Sequence, residues 1–198
     1  MITKPMAKSN IALGRWIERN WQGSLDRLLI LEEPRAGALP EARMEGQLSG
    51  LQEVLGDVPA AQRIVLNSGN TSAASEVVVA QTLAALADCH RIAVICFNDD
   101  AALGALRAAR TQAREEEMAI VGQGADRLVR HELRQPGARI IGSTAFMPER
   151  YGELLIDLAL RILRGESVPP AVYTEHVFID ASNVDAYYPF PEDRSRSI

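Results

Sequence analysis

The run VICFNDDAALGALRAAR, from Val94 to Arg110, leads four apolar residues into Asn98, Asp99 and Asp100 before an Ala- and Leu-rich stretch. An amide such as Asn98 offers two N–H donors and an oxygen acceptor, a set suited to sugar hydroxyls. The plainer use of three short polar side chains is to start a helix, and Asp99 or Asp100 suits an N-cap. The expected division is Asn98 toward a ligand and one of the aspartates at the cap. Arg43 is the second candidate. EARMEGQLSGLQEVLG predicts a helix over Glu41–Gly56, with Met44, Leu48, Leu51 and Leu55 at helical spacing. Arg43 then falls in the first turn, where a cation opposes the macrodipole by roughly a few tenths of a kcal/mol. A guanidinium meeting a ligand at the strand ends accounts for it; the bland account is a solvated Arg paired with Glu41 or Glu45.

Other constellations do not add up to a reactive centre. GQGADR lacks the third glycine of a dinucleotide loop and follows a late strand. SGNTSAAS has no lysine, so it is no phosphate-binding P-loop. His90, His131 and His176 are scattered and lack metal spacing. Asp99 and Asp100 would suit a phospho-acceptor pocket, with Glu32 and Glu33 as the matching acids. Such a pocket also needs a late lysine, and none follows residue 8. No Gly-x-Ser-x-Gly elbow supports a serine hydrolase. The residues therefore read as a binding protein without cofactor or metal, with an enzyme as the weaker alternative.

Elements must place Asn98 and Arg43 together. RLLILEE, RIVLNSG, RIAVICF, MAIVGQG and ARIIGS are short apolar runs, separated by segments with helical periodicity. That alternation predicts βαβ units and an open parallel sheet with helices on both faces. Continuous apolar runs fit strands buried on both sides. AVYTEHVFID alternates and predicts a closing strand over 171–182. ERYGELLIDLALRILRG predicts an amphipathic helix over Glu149–Gly165, with Leu154, Leu155, Leu158, Ile162 and Leu163 on one side. Ligands of such sheets bind at the carboxyl ends of the strands. The residues there are Glu32 and Glu33, Asn67 and Ser68, Asn98 to Asp100, Gln123 and Gly124, and Ser143 and Thr144.

With 198 residues the chain has ample length for a core. A net charge of −5 argues against a general nucleic-acid surface, and 5% aromatics against a stacking platform. Cys89 and Cys96 make no disulfide framework, and Cys96 reads as a small buried hydrophobe. The N-terminal segment MITKPMAKSN has no apolar export region, and no apolar run reaches the roughly 18 residues of a membrane span.

FNDDAALGALRAAR resembles the asparagine–aspartate motif of type I periplasmic sugar-binding proteins and lactose-repressor-type regulators. Other pieces agree in order: KSNIALGRWI, EARMEGQ with Arg43-x-x-Gly46, MAIVGQGAD, ARIIGSTAFMPERYGELLIDLALRILRGE, and VFIDASNV. The resemblance runs from about Ser9 to Tyr188. It implies two α/β lobes around a cleft that holds a sugar. Residues 9–143 with the 171–182 strand would be the second lobe, 144–170 a crossover belonging to the first, and 183–198 a tail. The first lobe would be largely missing, so the chain reads as a fragment.

By the resemblance, Arg43 and Asn98 contact ligand directly, and Thr71 is a further contact. The family's aspartate after the fourth strand falls at Gly124, with Asp126 two residues late. Its polar position before the crossover proline falls at Phe146, which would stack on a ring instead. These departures point away from ribose, toward another polyol, a glycoside or a cyclic ligand. Two roles follow. One is the solute receptor of a sugar transporter, periplasmic and partnered by a membrane permease. The other is the effector domain of a transcription regulator, cytoplasmic and reaching DNA through a missing domain. The Glu149–Gly165 helix is expected to hide its apolar side against its own lobe or in a homodimer.

Overall fold

Alternation along each strand sorts the core into two halves. The computed structural model describes residues 4–36, 38–172 and 174–189. Its sheet contains β1 (Arg27–Glu32), β2 (Arg63–Asn67), β3 (Ile92–Cys96), β4 (Met118–Gly124), β5 (Ile140–Ala145) and β6 (Val177–Ile179). The order is β2-β1-β3-β4-β5-β6, with the first five parallel and β6 antiparallel to β5. Successive side chains of a strand point to opposite faces. Leu28 and Ile30, Ala93 and Ile95, and Ala119 and Val121 therefore face one layer. That layer is α1 (Lys4–Trp21) and α2 (Ala38–Leu55), which supply Leu13, Ile17, Met44 and Leu51. Leu29, Leu31, Val94, Cys96 and Ile120 face the other layer. There, α3 (Ser72–Ala85), α4 (Asp99–Thr111) and α5 (Arg127–Leu133) supply Val79, Leu83, Leu106, Val129 and Leu133. Cys96 is fully buried, as its apolar run implied.

Three expectations are corrected. β2 is not buried on both faces: it is the sheet edge, and Val65 is 59% exposed. The closing strand does not span 171–182, because only Val177–Ile179 find partners on β5. The long helix α6 (Tyr151–Leu163) does not hide its apolar side against its own lobe; none of its residues is buried. A short helix, α7 (Val184–Tyr187), follows β6 and buries Val184. Among the described residues no helix is long and apolar enough to cross a membrane.

The strand order sets the position of a site. From β1 the chain crosses through α2 to β2 on one side, then through α3 to β3 on the other. The reversal makes the carboxyl ends of β1 and β3 the topological switch point, where crevices form in open α/β sheets.

Candidate functional site

Asn98 stands two residues after the end of β3, at that switch point. Its backbone is extended (φ −150°, ψ 178°), and its Oδ1 accepts from the Ala101 N–H at 2.8 Å. It is therefore the N-cap of α4. This corrects the expected division of labour, which gave the cap to Asp99 or Asp100. Helical geometry begins at Asp99 itself, so the residue before it takes the capping position. The Asn98 amide still has its Nδ2, which donates to Asn70 Oδ1 at 2.5 Å. Asn70 lies in the β2–α3 turn in the left-handed region (φ 55°), where asparagine is among the more tolerant residues. Next to it, exposed Thr71 caps α3, its Oγ1 accepting from the Ala74 N–H at 3.2 Å. Two neighbouring helix caps thus share one polar patch.

Asp99, freed from capping, turns inward. It is 1% exposed, and its carboxylate accepts from the Ser143 hydroxyl and the Asp126 N–H, each at 2.6 Å. Ser143 Oγ also accepts from the Ala125 N–H at 2.9 Å. Burial pushes the Asp99 carboxyl up to a pKa of about 6, against the two hydrogen bonds that lower it. Gly122 and Gly124 make room for this carboxylate: a Cβ on Gly122 would collide with Asp99 Oδ1, and one on Gly124 would lie 3.2 Å from Oδ2. Gly124, expected as a ligand position, therefore has a structural task beside the site.

The remaining candidates divide. α2 begins at Ala38 rather than Glu41, so Arg43 stands in the second turn and not the first. The macrodipole reasoning for it lapses there, because that field falls off within the first turn. The Arg43 side chain lies outside the described residues. Phe146 follows β5 and meets the His176 ring edge-on, with centroids 4.9 Å apart. Residue Ala145 is the register partner of Gly124, so Phe146 adjoins the Gly124 end of the rim. Asn98, Thr71 and Gly124 thus share one continuous edge, with Phe146 at its far side. After β1, Glu33 is buried and takes three hydrogen bonds from Arg35, which hold its carboxyl near a pKa of about 2.

Two residues went unnoticed in the sequence. Asn70 is joined to Asn98 only through the fold, and no spacing announces the contact. Gln47 did leave a signal, standing three residues after Met44 and four before Leu51 on the apolar stripe of α2. It is 1% exposed. Among the described residues no group of three or more His, Cys, Asp and Glu side chains could hold a metal ion. The rim offers amides, hydroxyls and a ring beside the exposed carboxylate of Asp100, chemistry for holding a polar molecule.

No curated protein matches this chain. Solved structures do. One is a periplasmic solute-binding protein of an ABC transporter from Actinobacillus succinogenes 130z with bound D-allose: TM-score 0.75 at 17% identity, covering 91% of this chain and 59% of that one. Another is a periplasmic ribose ABC transporter protein from Conexibacter woesei: TM-score 0.70 at 16% identity, covering 92% and 59%. A third is the fructose-binding periplasmic domain of a hybrid two-component system: TM-score 0.67 at 18% identity, covering 92% and 59%. The chain spans about three fifths of the length of these structures, and at such identities the likeness establishes the shared fold. The family model described as the periplasmic binding protein domain matches residues 8–167. By that match, and by a mostly parallel sheet between two helical layers, the chain belongs to the periplasmic binding protein domain family.

Proposed function

We propose that this protein binds a small neutral sugar-like molecule at the carboxyl rim of its sheet, as the solute-binding component of a sugar transporter. The observation that carries the reading is Asn98: an amide at the topological switch point, bonded to Asn70, whose neighbour Thr71 caps α3. The ligands named for its solved relatives, D-allose, ribose and fructose, support the same class. Asn98, Arg43 and Thr71 supply polar contacts, Gly124 leaves room, and Phe146 offers an apolar ring. In this reading residues 9–143 and the closing strand form the ligand lobe, and 144–170 form a crossover. The protein works in the periplasm with a membrane permease, and the uncovered face of α6 is an interface with a second copy.

Calorimetric titration with D-allose, ribose and fructose tests the reading. Binding of at least one is expected. Asn98→Ser keeps a capping oxygen and loses the amide donors, so it should unfold near the wild-type temperature while affinity drops. The loss should be about 1–3 kcal/mol if the amide bonds the ligand while buried. A protein that takes up none of the sugars, or a variant with undiminished affinity, refutes the assignment.

A further inference from the structure

The α1/α2 face of the sheet changes character toward the carboxyl end. Its lower and middle part is apolar, built from Leu13, Ile17, Leu28, Ala93 and Ala119. Toward the rim four polar residues take over: Asn10, Gln47, Gln123 and Thr144, all at most 2% exposed. Asn10 lies three residues before Leu13 and seven before Ile17, on the same buried stripe of α1. Ala12, Trp16 and Arg19 of that helix line a common groove with Ile140 and Ile141 of β5. Asn10 precedes that groove in α1, whose chain runs on through the turn after Trp21 into the start of β1, so its first half lies toward the carboxyl ends of the strands. α1 packs on β4, β5 and α2. Gln123 and Thr144 are register partners on β4 and β5, so their side chains share a face. Gln47 comes from α2.

These residues are only half satisfied by protein. Gln47 Nε2 and Gln123 Nε2 donate to one carbonyl, that of Cys96, at 3.5 and 3.4 Å. That fixes both amides with their oxygens turned away. Among the described residues, Gln47 Oε1, Gln123 Oε1, Thr144 Oγ1 and both polar atoms of Asn10 have no hydrogen-bond partner. Five such atoms left dry would each cost a desolvation penalty, and native folds rarely carry more than a few. The set is also selective. It presents mainly acceptor oxygens, so it wants donors. No carboxylate is among the four, so a cation would sit there uncompensated.

We infer that Asn10, Gln47, Gln123 and Thr144 form a built site for O–H donors, enclosed between α1, α2 and the ends of β3, β4 and β5. A water bound there makes about three hydrogen bonds, so about two waters would satisfy all five atoms. A ligand hydroxyl offers the same chemistry from the rim side. Such donors would add to the direct ties that already join α1 and α2 to the strand ends.

A high-resolution crystal structure of the sugar-free protein should show ordered water within hydrogen-bond distance of Gln47 Oε1 and Gln123 Oε1. A second crystal soaked in D-allose separates the two sources: retained water assigns the site to water, and a sugar oxygen in its place assigns it to a ligand hydroxyl. Glutamines turned onto protein donors, with no solvent between them, overturn the inference. A solution measurement decides independently. Gln123→Met keeps the volume, and Gln47 still satisfies the Cys96 carbonyl. If the site is filled, the variant strands a bound water and its melting temperature falls by about 2–4 °C. An unchanged or raised melting temperature means that the oxygen was dry, and it refutes the site.

Discussion

Asp99 meets two hydrogen-bond donors, the Ser143 hydroxyl and the Asp126 N–H, and lies beside two further carboxylates, Asp126 and Asp100, that disfavour its charge. Burial dominates, and the carboxyl titrates near pH 6 instead of at its ordinary 3.8. The sign of the consequence is fixed. Between those two values the native state binds a proton that the unfolded chain has released, so this group's contribution to stability rises as pH falls. For a pKa of about 6, going from pH 7 to 5 is worth about 1 kcal/mol. Glu33 works the other way: its carboxyl is held near 2 by Arg35, so its contribution fades as pH falls through the acid range. The two are separated by comparing wild type with Asp99→Asn, which cannot titrate. The variant keeps both partners, its Oδ1 accepting from the Asp126 N–H and its Nδ2 donating to the Ser143 hydroxyl oxygen, and loses only the titration, so the gap is wild type minus variant. The gap in urea unfolding free energy should widen by about 1 kcal/mol from pH 7 to 5. A gap that narrows over this interval contradicts the buried-carboxyl account.

Elements were legible where apolar periodicity was strong, and illegible where pairing decides. Ile92–Cys96 could be read as a strand because five consecutive apolar residues bury both faces, and all five are buried. RIVLNSG carries a shorter apolar run, Ile64–Leu66, and forms an edge, since strand order is a long-range property that no local run encodes. The closing strand shrank for a related reason: alternation over AVYTEHVFID exceeds the three residues that find β5. At the site, Asn98 was legible as a residue, but its cap was not, because Asn, Asp and Ser compete for that position on nearly equal terms. Gly104 shows how an interface overrides a local rule. It sits inside α4, where replacing glycine by alanine favours the helix by about 1 kcal/mol. Here a Cβ would collide with the Ser72 carbonyl oxygen and lie 2.7 Å from Ser75 Cβ. α3 and α4 approach closely at this point, and overpacking costs about 1–3 kcal/mol. Gly104→Ala should therefore lower the urea midpoint, and a raised midpoint would show that the helices separate freely.

At the scale of the whole molecule, the unsolved surface is α6. Leu155, Ile156 and Leu163 are 61%, 64% and 82% exposed. With Leu154, Leu160 and Ile162 they form an apolar surface of a kind that marks interaction sites on soluble proteins. Glu153, Asp157, Arg161 and Arg164 recur at i, i+4, i+8 and i+11, a charged stripe on the side of the helix away from Leu155 and Ile162. A second copy packed antiparallel on the apolar side would set Leu155 against the partner's Ile162, about a two-fold axis near Leu158. The closed isologous arrangement is the commonest symmetry of soluble oligomers. Light scattering on the eluted protein should accordingly give about twice the 21.6 kDa chain mass. Lysine at both Leu155 and Ile162 would bury like charges across the seam and return the mass to that of one chain. A wild-type protein that elutes as a strict monomer at tens of micromolar sinks the pairing, and the apolar face of α6 then belongs to a different occupant.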